Sequence, residues 1–296
     1  MKNNTKISYY LGILSFLGIA AAFGSCAVRN TTPTKSREPQ KIVFNEKNSP
    51  LLIQKGVEKP VVIAVVDTGF DFQSDWKEIK MLEKPKLCRF GHKDFTGTGL
   101  QDTHGHGTHV AGLIAQQLKD INYCLVIIKV FDPKADNLLN NRRGFMWAID
   151  LKVQAINYSG GGEDYDVIEC TIVKRVLDQG ILFVSAAGNE SSEINERPYY
   201  PAMCDTRSIA VQSVEMDGSV SNFSNFSDLS KPNARILYSE HGHNALSIMP
   251  GNIVGFMSGT SQATAIVTGQ KVREMVKQGS WKTQEYKVRK RKSLNS

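Results

Sequence analysis

Six consecutive apolar, mostly β-branched residues, Val61-Val62-Ile63-Ala64-Val65-Val66, run straight into Asp67-Thr68-Gly69. A strand with one wet face alternates apolar and polar residues, so an unbroken run fits a strand covered on both faces. Similar runs occupy Leu125–Phe131, Val153–Asn157, Ile181–Ser185 and Ser208–Val214. Between them, His106–Lys119, Arg142–Leu151 and Val167–Gln179 repeat apolar residues at three- and four-residue spacing, which predicts helices. Strands alternating with helices imply an α/β fold in three layers, a mostly parallel central sheet flanked by helices. A last helix is expected over Thr260–Val276, with Thr260 or Ser261 capping its start. In such sheets ligands bind beyond the carboxyl ends of the strands, so functional residues should follow the apolar runs directly.

Charge excludes one function class. The chain of 296 residues carries a formal +7, but residues 1–42 and 282–296 each hold six Lys/Arg against one Glu, which leaves the stretch between them at −3. A nucleic-acid-binding face needs its Lys and Arg clustered on the folded core, so no nucleic-acid partner is expected.

Residues 1–26 read as an export signal: Lys2 and Lys6 precede an almost uncharged apolar stretch, Ile7–Phe23, followed by small residues. The competing reading is an uncleaved membrane anchor, for which the stretch is marginal in length. Phe23-Gly24-Ser25-Cys26 resembles a bacterial lipoprotein cleavage box with Cys26 lipidated, and one acyl chain would tether without spanning. Residues 27–42 read as a linker, 43–281 as the folded domain and 282–296 as a basic, solvated tail. The expected location is outside the cytoplasm, periplasmic or extracellular, with membrane contact through the lipid anchor or the signal. Cys88, Cys124, Cys170 and Cys204 then either pair, with three connectivities open, or stay buried thiols. No C-x-x-C is present, which argues against a cysteine zinc site.

Four motifs follow apolar runs. Asp67-Thr68-Gly69 alone is weak; it resembles the aspartic-protease motif, yet no second such motif supplies the partner carboxylate. His104-Gly105-His106-Gly107-Thr108-His109-Val110-Ala111-Gly112 has two readings: a catalytic His opening a helix, with Gly107 and Gly112 permitting close packing, or three imidazoles on a metal. It resembles the H-x-H-x-D-H box of metallo-β-lactamase-fold hydrolases, but Thr108 stands where that box has Asp. Ser185-Ala186-Ala187-Gly188-Asn189-Glu190 places an amide donor after a strand, and Ser258-Gly259-Thr260-Ser261 places a hydroxyl at a helix start.

Together, in the order Asp, His, Ser, these motifs resemble the subtilisin-like serine proteases over most of residues 60–276; that order is the known subtilisin one. Gln101-Asp102, Ile156-Asn157-Tyr158-Ser159-Gly160-Gly161 and Ser221-Asn222-Phe223-Ser224 add to the likeness. The resemblance implies a serine endopeptidase with Ser261 as nucleophile, His106 as general base and acid, and Asp67 holding the imidazole. It further implies Asn189 in the oxyanion hole, and a substrate strand bound by Ser159, Gly160, Gly161, Ala187 and Gly188. His104 and His109 receive no catalytic role on this reading: one is a loop residue, the other a packed helical residue.

Several positions depart from the family pattern. Gln262, Ala265 and Ile266 replace its Met, Pro and His after the nucleophile, and the loss of Pro from a helix's first turn is expected to loosen the nucleophile's setting. Ala115–Leu125 lacks the long loop that carries calcium in many members, so no cofactor is expected and calcium is not implied. Residues 190–201 are too compact to place the wall of the primary specificity pocket; Glu190 there could attract a basic side chain, though an exposed Glu is more often only solvated. The gap before residue 61 is too short for a folded propeptide of ordinary domain size. The implied partner is a protein or peptide substrate, bound by a monomer. Two other readings remain: an inactive subtilase-fold binding module, and a metal-dependent hydrolase using His104, His106 and His109.

Overall fold

The computed structural model describes residues 59–280. Its elements in chain order are β1 (Val61–Asp67), β2 (Lys93–Asp94), α1 (His106–Gln117), β3 (Tyr123–Lys129), α2 (Asn137–Asp150), β4 (Ala155–Tyr158), α3 (Val167–Asp178), β5 (Leu182–Ala186), β6 (Ile209–Val214), β7 (Tyr238–His241), β8 (Ala245–Met249), β9 (Ile253–Met257) and α4 (Thr260–Lys277). Seven strands form one parallel sheet in the order β2-β3-β1-β4-β5-β6-β7, and β8 and β9 form a separate antiparallel pair.

Every residue of β1 is buried, as the apolar run requires, and its side chains divide between two cores. Val61, Ile63 and Val65 point into a cluster with Val110, Leu113 and Ile114 of α1 and Ala265 and Val272 of α4. Val62, Ala64 and Val66 point the other way, onto Phe145 and Ala148 of α2 and Val173 and Val176 of α3. The period-two alternation of strand side chains thus produces the three-layer architecture. Gly112 brings α1 onto β8: a Cβ there would lie 2.2 Å from Ser247 Oγ.

β1 pairs with β3 on one side and β4 on the other, so the chain's crossovers diverge at its carboxyl end. This switch point opens a crevice beyond Asp67, the usual place for a ligand in an open α/β sheet.

Several boundaries differ from the sequence expectation. α2 starts at Asn137, not Arg142, because Asp136 caps it by accepting the Leu139 N–H at 3.0 Å. The strand expected at 125–131 lies at 123–129, and the one expected at 153–157 lies at 155–158. The short edge strands β2 and β7 carry too little apolar pattern to be read, whereas the β8–β9 hairpin, two apolar runs around Pro250-Gly251-Asn252, is legible in the sequence but absent from the expectation. The export signal, Cys26, the linker and the basic tail lie outside the described residues; among those described, no helix is long and apolar enough to cross a membrane.

The open cysteine question resolves into two bridges, Cys88–Cys124 and Cys170–Cys204, separated by 36 and 34 residues. The first ties the loop before β2 to β3, and the second ties α3 to the loop before β6. Closing loops of this size stabilises by roughly 3–4 kcal/mol on the chain-entropy account. Replacing Cys170 and Cys204 together by Ala should lower stability by about that much, measured as a drop in denaturation midpoint against the oxidised parent.

Candidate active site

The carboxylate of Asp67 ends β1 inside the crevice, only 5% exposed. Its Oδ1 meets His106 Nδ1 at 2.7 Å and accepts the Thr68 N–H at 2.7 Å. His106 is the first residue of α1, and the start of that helix is assembled by residues from outside it. Asp102, 2% exposed, is the hub. Its Oδ1 accepts the His104 N–H, the Gly105 N–H and the Thr68 hydroxyl at 3.0, 2.8 and 3.0 Å. Its Oδ2 accepts both the N–H and the hydroxyl of Thr108, at 2.9 and 2.7 Å. Thr68 Oγ1 in turn accepts the Gly107 N–H at 2.8 Å. The unpaired N–H groups that open a helix are here satisfied by the Asp67-Thr68-Gly69 turn and by Asp102, which locks the His to the Asp. Gly107 permits this approach, since a Cβ there would lie 2.3 Å from Gly69 O.

Burial by itself would pull the His106 pKa down, but the charge and hydrogen bond of Asp67, with the charge of Asp102, hold it above the ordinary 6.5.

Ser261 opens α4 from the opposite side. The expected hydroxyl cap is not what the structure shows: the N-cap is Gly259 and no side chain within the helix caps it. Asn189, just past β5, takes that place. Its Oδ1 accepts the Thr260 N–H at 2.8 Å and the Thr260 hydroxyl at 3.0 Å. The Gln262 and Ala263 N–H groups go to Gly259 O, which leaves the Ser261 N–H free of intrahelical acceptors. With its oxygen so engaged, the Asn189 amide nitrogen makes no hydrogen bond among the described residues. The Ser261 hydroxyl donates to Ser159 O at 2.9 Å and the Ser159 hydroxyl returns the bond to Ser261 O at 3.0 Å. In this arrangement Ser261 Oγ is hydrogen-bonded to the strand end that follows β4, not to His106.

The segments expected to hold a substrate flank this point. Ser159-Gly160-Gly161 continues β4, and Gly162 exchanges two backbone bonds with Tyr200, at 2.9 and 2.7 Å. Ala187-Gly188 follows β5 and is held by Asn225, whose Nδ2 donates to Ala187 O at 2.9 Å and whose N–H donates to Gly188 O at 3.0 Å. Asn225 Oδ1 also accepts the Glu190 and Ser192 N–H groups. Glu190 is not the freely solvated side chain expected: it is half-buried, its Oε2 accepts from Asn225 Nδ2 at 2.7 Å, and burial pushes its carboxyl above the ordinary range. Asn225 escaped the sequence reading although it directly follows the Ser221–Ser224 segment.

His104 and His109 do not join His106 in a common coordination sphere. His104 is exposed and stacks edge-on to His106 and Phe131. His109 is fully buried, with Nε2 at 3.1 Å from Ala245 O and 3.2 Å from Gly255 O. Burial, then the charge of His106, lowers its pKa to about 4, which keeps it neutral. Among the described residues no group of three His, Cys, Asp or Glu could hold a metal ion. Gln262 and Ala265 are buried and Ile266 packs against the α1 core, so these departures from the family pattern fill the interior under Ser261.

A cavity of about 290 Å³ opens beside Ser159–Gly161, between the starts of α2 and α3. Glu169 of α3 lines it at 3% exposure, and its Oε1 has no hydrogen-bond partner among the described residues. Burial, then the charge of Asp166, raises its pKa to about 7 against the weaker opposing pull of Asn141 and Arg142.

The profile of the subtilase family matches residues 58–290. The chain belongs to that family. The kinship makes it a subtilisin-like serine endopeptidase. It is 33% identical over 243 residues to the major intracellular serine protease of Bacillus subtilis (strain 168), covering 75% of this chain and 70% of that one. It is 33% identical to the intracellular serine protease of Paenibacillus polymyxa, covering 71% of this chain and 64% of the relative. Subtilisin E of Bacillus subtilis (strain 168) is 30% identical over 75% of this chain, which spans 57% of that relative's length. The protease domain of PatA, solved as a serine-to-alanine mutant, overlays with a TM-score of 0.59 at 22% identity over 76% of this chain and 84% of that one, a likeness of fold.

Two outcomes follow from the charges of the site. Neutral His106 is the form able to accept a proton, and its pKa lies above 6.5, so the acid limb of kcat/KM should have an apparent pKa above 6.5 in a pH–rate profile. Glu169 has a folded-state pKa above its unfolded value, so stability is lost as pH rises from about 4.5 through about 7. Glu169→Gln should therefore stabilise the protein by roughly 2–3 kcal/mol at pH 8 and by little below pH 5, measured by denaturant unfolding at the two pH values.

Proposed function

We propose that this protein hydrolyses peptide bonds of protein or peptide substrates through Asp67, His106 and Ser261, with Asn189 as oxyanion donor. The observation that carries the reading is the 2.7 Å Asp67–His106 pair at the start of α1, together with the start of α4, where Asn189 Oδ1 is consumed by Thr260. That engagement leaves the Asn189 amide and the Ser261 N–H as the two donors of the proposed oxyanion hole. Such preorganised donors stabilise the charge that develops on a carbonyl oxygen under attack.

An extended substrate chain lies along Ser159–Gly161 as an added strand. Its N–H competes for Ser159 O and displaces the Ser261 hydroxyl, which then turns to His106 Nε2. The hydroxyl oxygen attacks the scissile carbonyl as its proton passes to His106. Asp67 keeps Nδ1 protonated and stabilises the imidazolium, which returns the proton to the leaving amine. Water then attacks the acyl-enzyme by the same route. Ala187 and Gly188, held by Asn225, form the facing wall.

The mechanism so read uses side chains and backbone alone, needs no cofactor and does not imply calcium. The protein acts as a monomer after export, and the two disulfides support an oxidising compartment. Cys26 would carry the lipid.

Labelling with a fluorophosphonate probe tests the reading. Wild type should be labelled and Ser261→Ala should not; a folded wild type that resists labelling would favour the inactive binding module. Asn189→Ala should keep the label but lower kcat on the order of 10²–10³, the range known for the oxyanion donor of subtilisin.

A further inference from the structure

The cavity beside Ser159–Gly161 is chemically one-sided. Its lining includes three carboxylates, Asp67, Asp164 and Glu169, and neither a lysine nor an arginine. Asp67 is already committed to His106. The nearest cation, Arg142 of α2, is held by the carboxylate of Asp166, to which both its Nε and its Nη2 donate. Asn141, also in the wall, donates to the Tyr158 hydroxyl at 2.6 Å. Glu169 is left with an oxygen that is buried and unpartnered.

Asn141 supports the carboxylate from one side only, and a buried carboxylate oxygen left unpartnered costs stability that a ligand cation would offset. The rest of the cavity indicates which ligand. Phe131 and Leu138 offer apolar contact on the α2 side, while the charge lies with Glu169. A lysine or arginine side chain matches both features, an apolar stem ending in a cation. An apolar side chain would bury the carboxylate further without pairing it, and an acidic one would repel it.

We propose that Glu169 selects substrates: an extended peptide places a lysine or arginine side chain in this cavity, with its cation on Glu169. The inference rests on the protease reading and names the substrate class of that same site. Glu169 acts on binding and specificity and takes no part in the bond-breaking steps.

The groups facing Glu169 are Asp166 at the start of its own helix, Arg142 of α2, Tyr158 of β4, Asp67 of β1 and Asp164 of the intervening loop. The Glu169 N–H and Arg142 hold Asp166 below the usual carboxylate range. Burial, then the charge of Glu169, pushes Tyr158 well above the usual phenol value. The ionisation of Glu169 near pH 7 therefore governs the charge of this cavity between pH 6 and pH 8.

The test is a position-scanned set of fluorogenic peptides, each compared with lysine or norleucine at one position. The readout is the ratio of kcat/KM for the lysine and norleucine peptides; the titration of His106 and any change in overall activity cancel in it. Wild type at pH 8 should favour lysine about 10- to 100-fold at one position, the worth of a hydrogen bond to a charged group. The ratio should fall toward one below pH 6, and this arm needs no variant. Glu169→Gln should give a ratio near one at both pH values. A ratio that is flat across all positions in an active wild type, or a lysine preference that persists in Glu169→Gln or at pH 5.5, overturns this inference and leaves the protease reading standing. A folded wild type that cleaves no peptide overturns both.

Discussion

The site depends on a strand that cannot show either face to water. Because β1 is covered by α1 and α4 on one side and by α2 and α3 on the other, its first polar side chain appears only where the sheet stops. That side chain is Asp67, and its neighbours β3 and β4 carry the chain away in opposite senses. The crevice is thus a product of the topology, and the hydrophobic effect that builds the two cores also fixes where the charge must lie. A slip of one residue in the register of β1 would exchange the two cores and bury Asp67 in apolar packing.

Within the crevice, placement is done by polar groups that do no chemistry in the proposed mechanism. Asp102 collects five donors from Thr68, His104, Gly105 and Thr108, and so joins the turn that carries Asp67 to the helix that carries His106. Asn225 does the same for Ala187, Gly188, Glu190 and Ser192. Each is buried and well supplied with partners, which makes the network rigid and lets it hold geometry to a fraction of an ångström. The capping of α4 by Asn189 shows the same economy: one amide satisfies the start of a helix with its oxygen, and in the proposed mechanism its nitrogen serves the carbonyl under attack.

The sequence made the fold and the three separated motifs legible, because periodicity marks strands and helices and because Asp67, His106 and Ser261 each follow a recognisable break in it. What it hid depends on contacts across the chain. Asn225 looks like an ordinary loop residue, and Asp102 is marked in the sequence only through the Gln101-Asp102 likeness; the role of each as a hub shows once donors drawn from distant turns are in place. The cap of α4 was misread because a Thr-Ser pair at a helix start satisfies the local rule, while Asn189 arrives from 71 residues away. The start of α2 was misplaced because Asn137–Asn141 are poor in apolar periodicity and the helix begins on its Asp136 cap. Glu169 precedes Val173 and Val176 by four and seven residues, so the helical period places it on the buried face of α3; what the sequence does not show is that a cavity adjoins it.

The contrast among the carboxylates separates structural from substrate-directed charge. Asp71 receives the Ser74 hydroxyl and the Gln73, Gln101 and Gly251 donors; burial opposes its ionisation but these donors outweigh it and hold its pKa at about 2. Asp102 likewise has a full set of donors. Glu169 sits at comparable depth with one oxygen unpaired and a pKa near 7. Asp67 and Glu190 also leave one buried oxygen each unpaired, but Asp67 is held by His106 and Glu190 by Asn225; Glu169 lines the cavity beside Ser159–Gly161, and on the proposed reading a substrate cation offsets its ionisation cost. On the proposed reading, Asp67 and Asp102 position the reacting groups, while Glu169, in the wall of the same cavity as Asp67, selects the substrate.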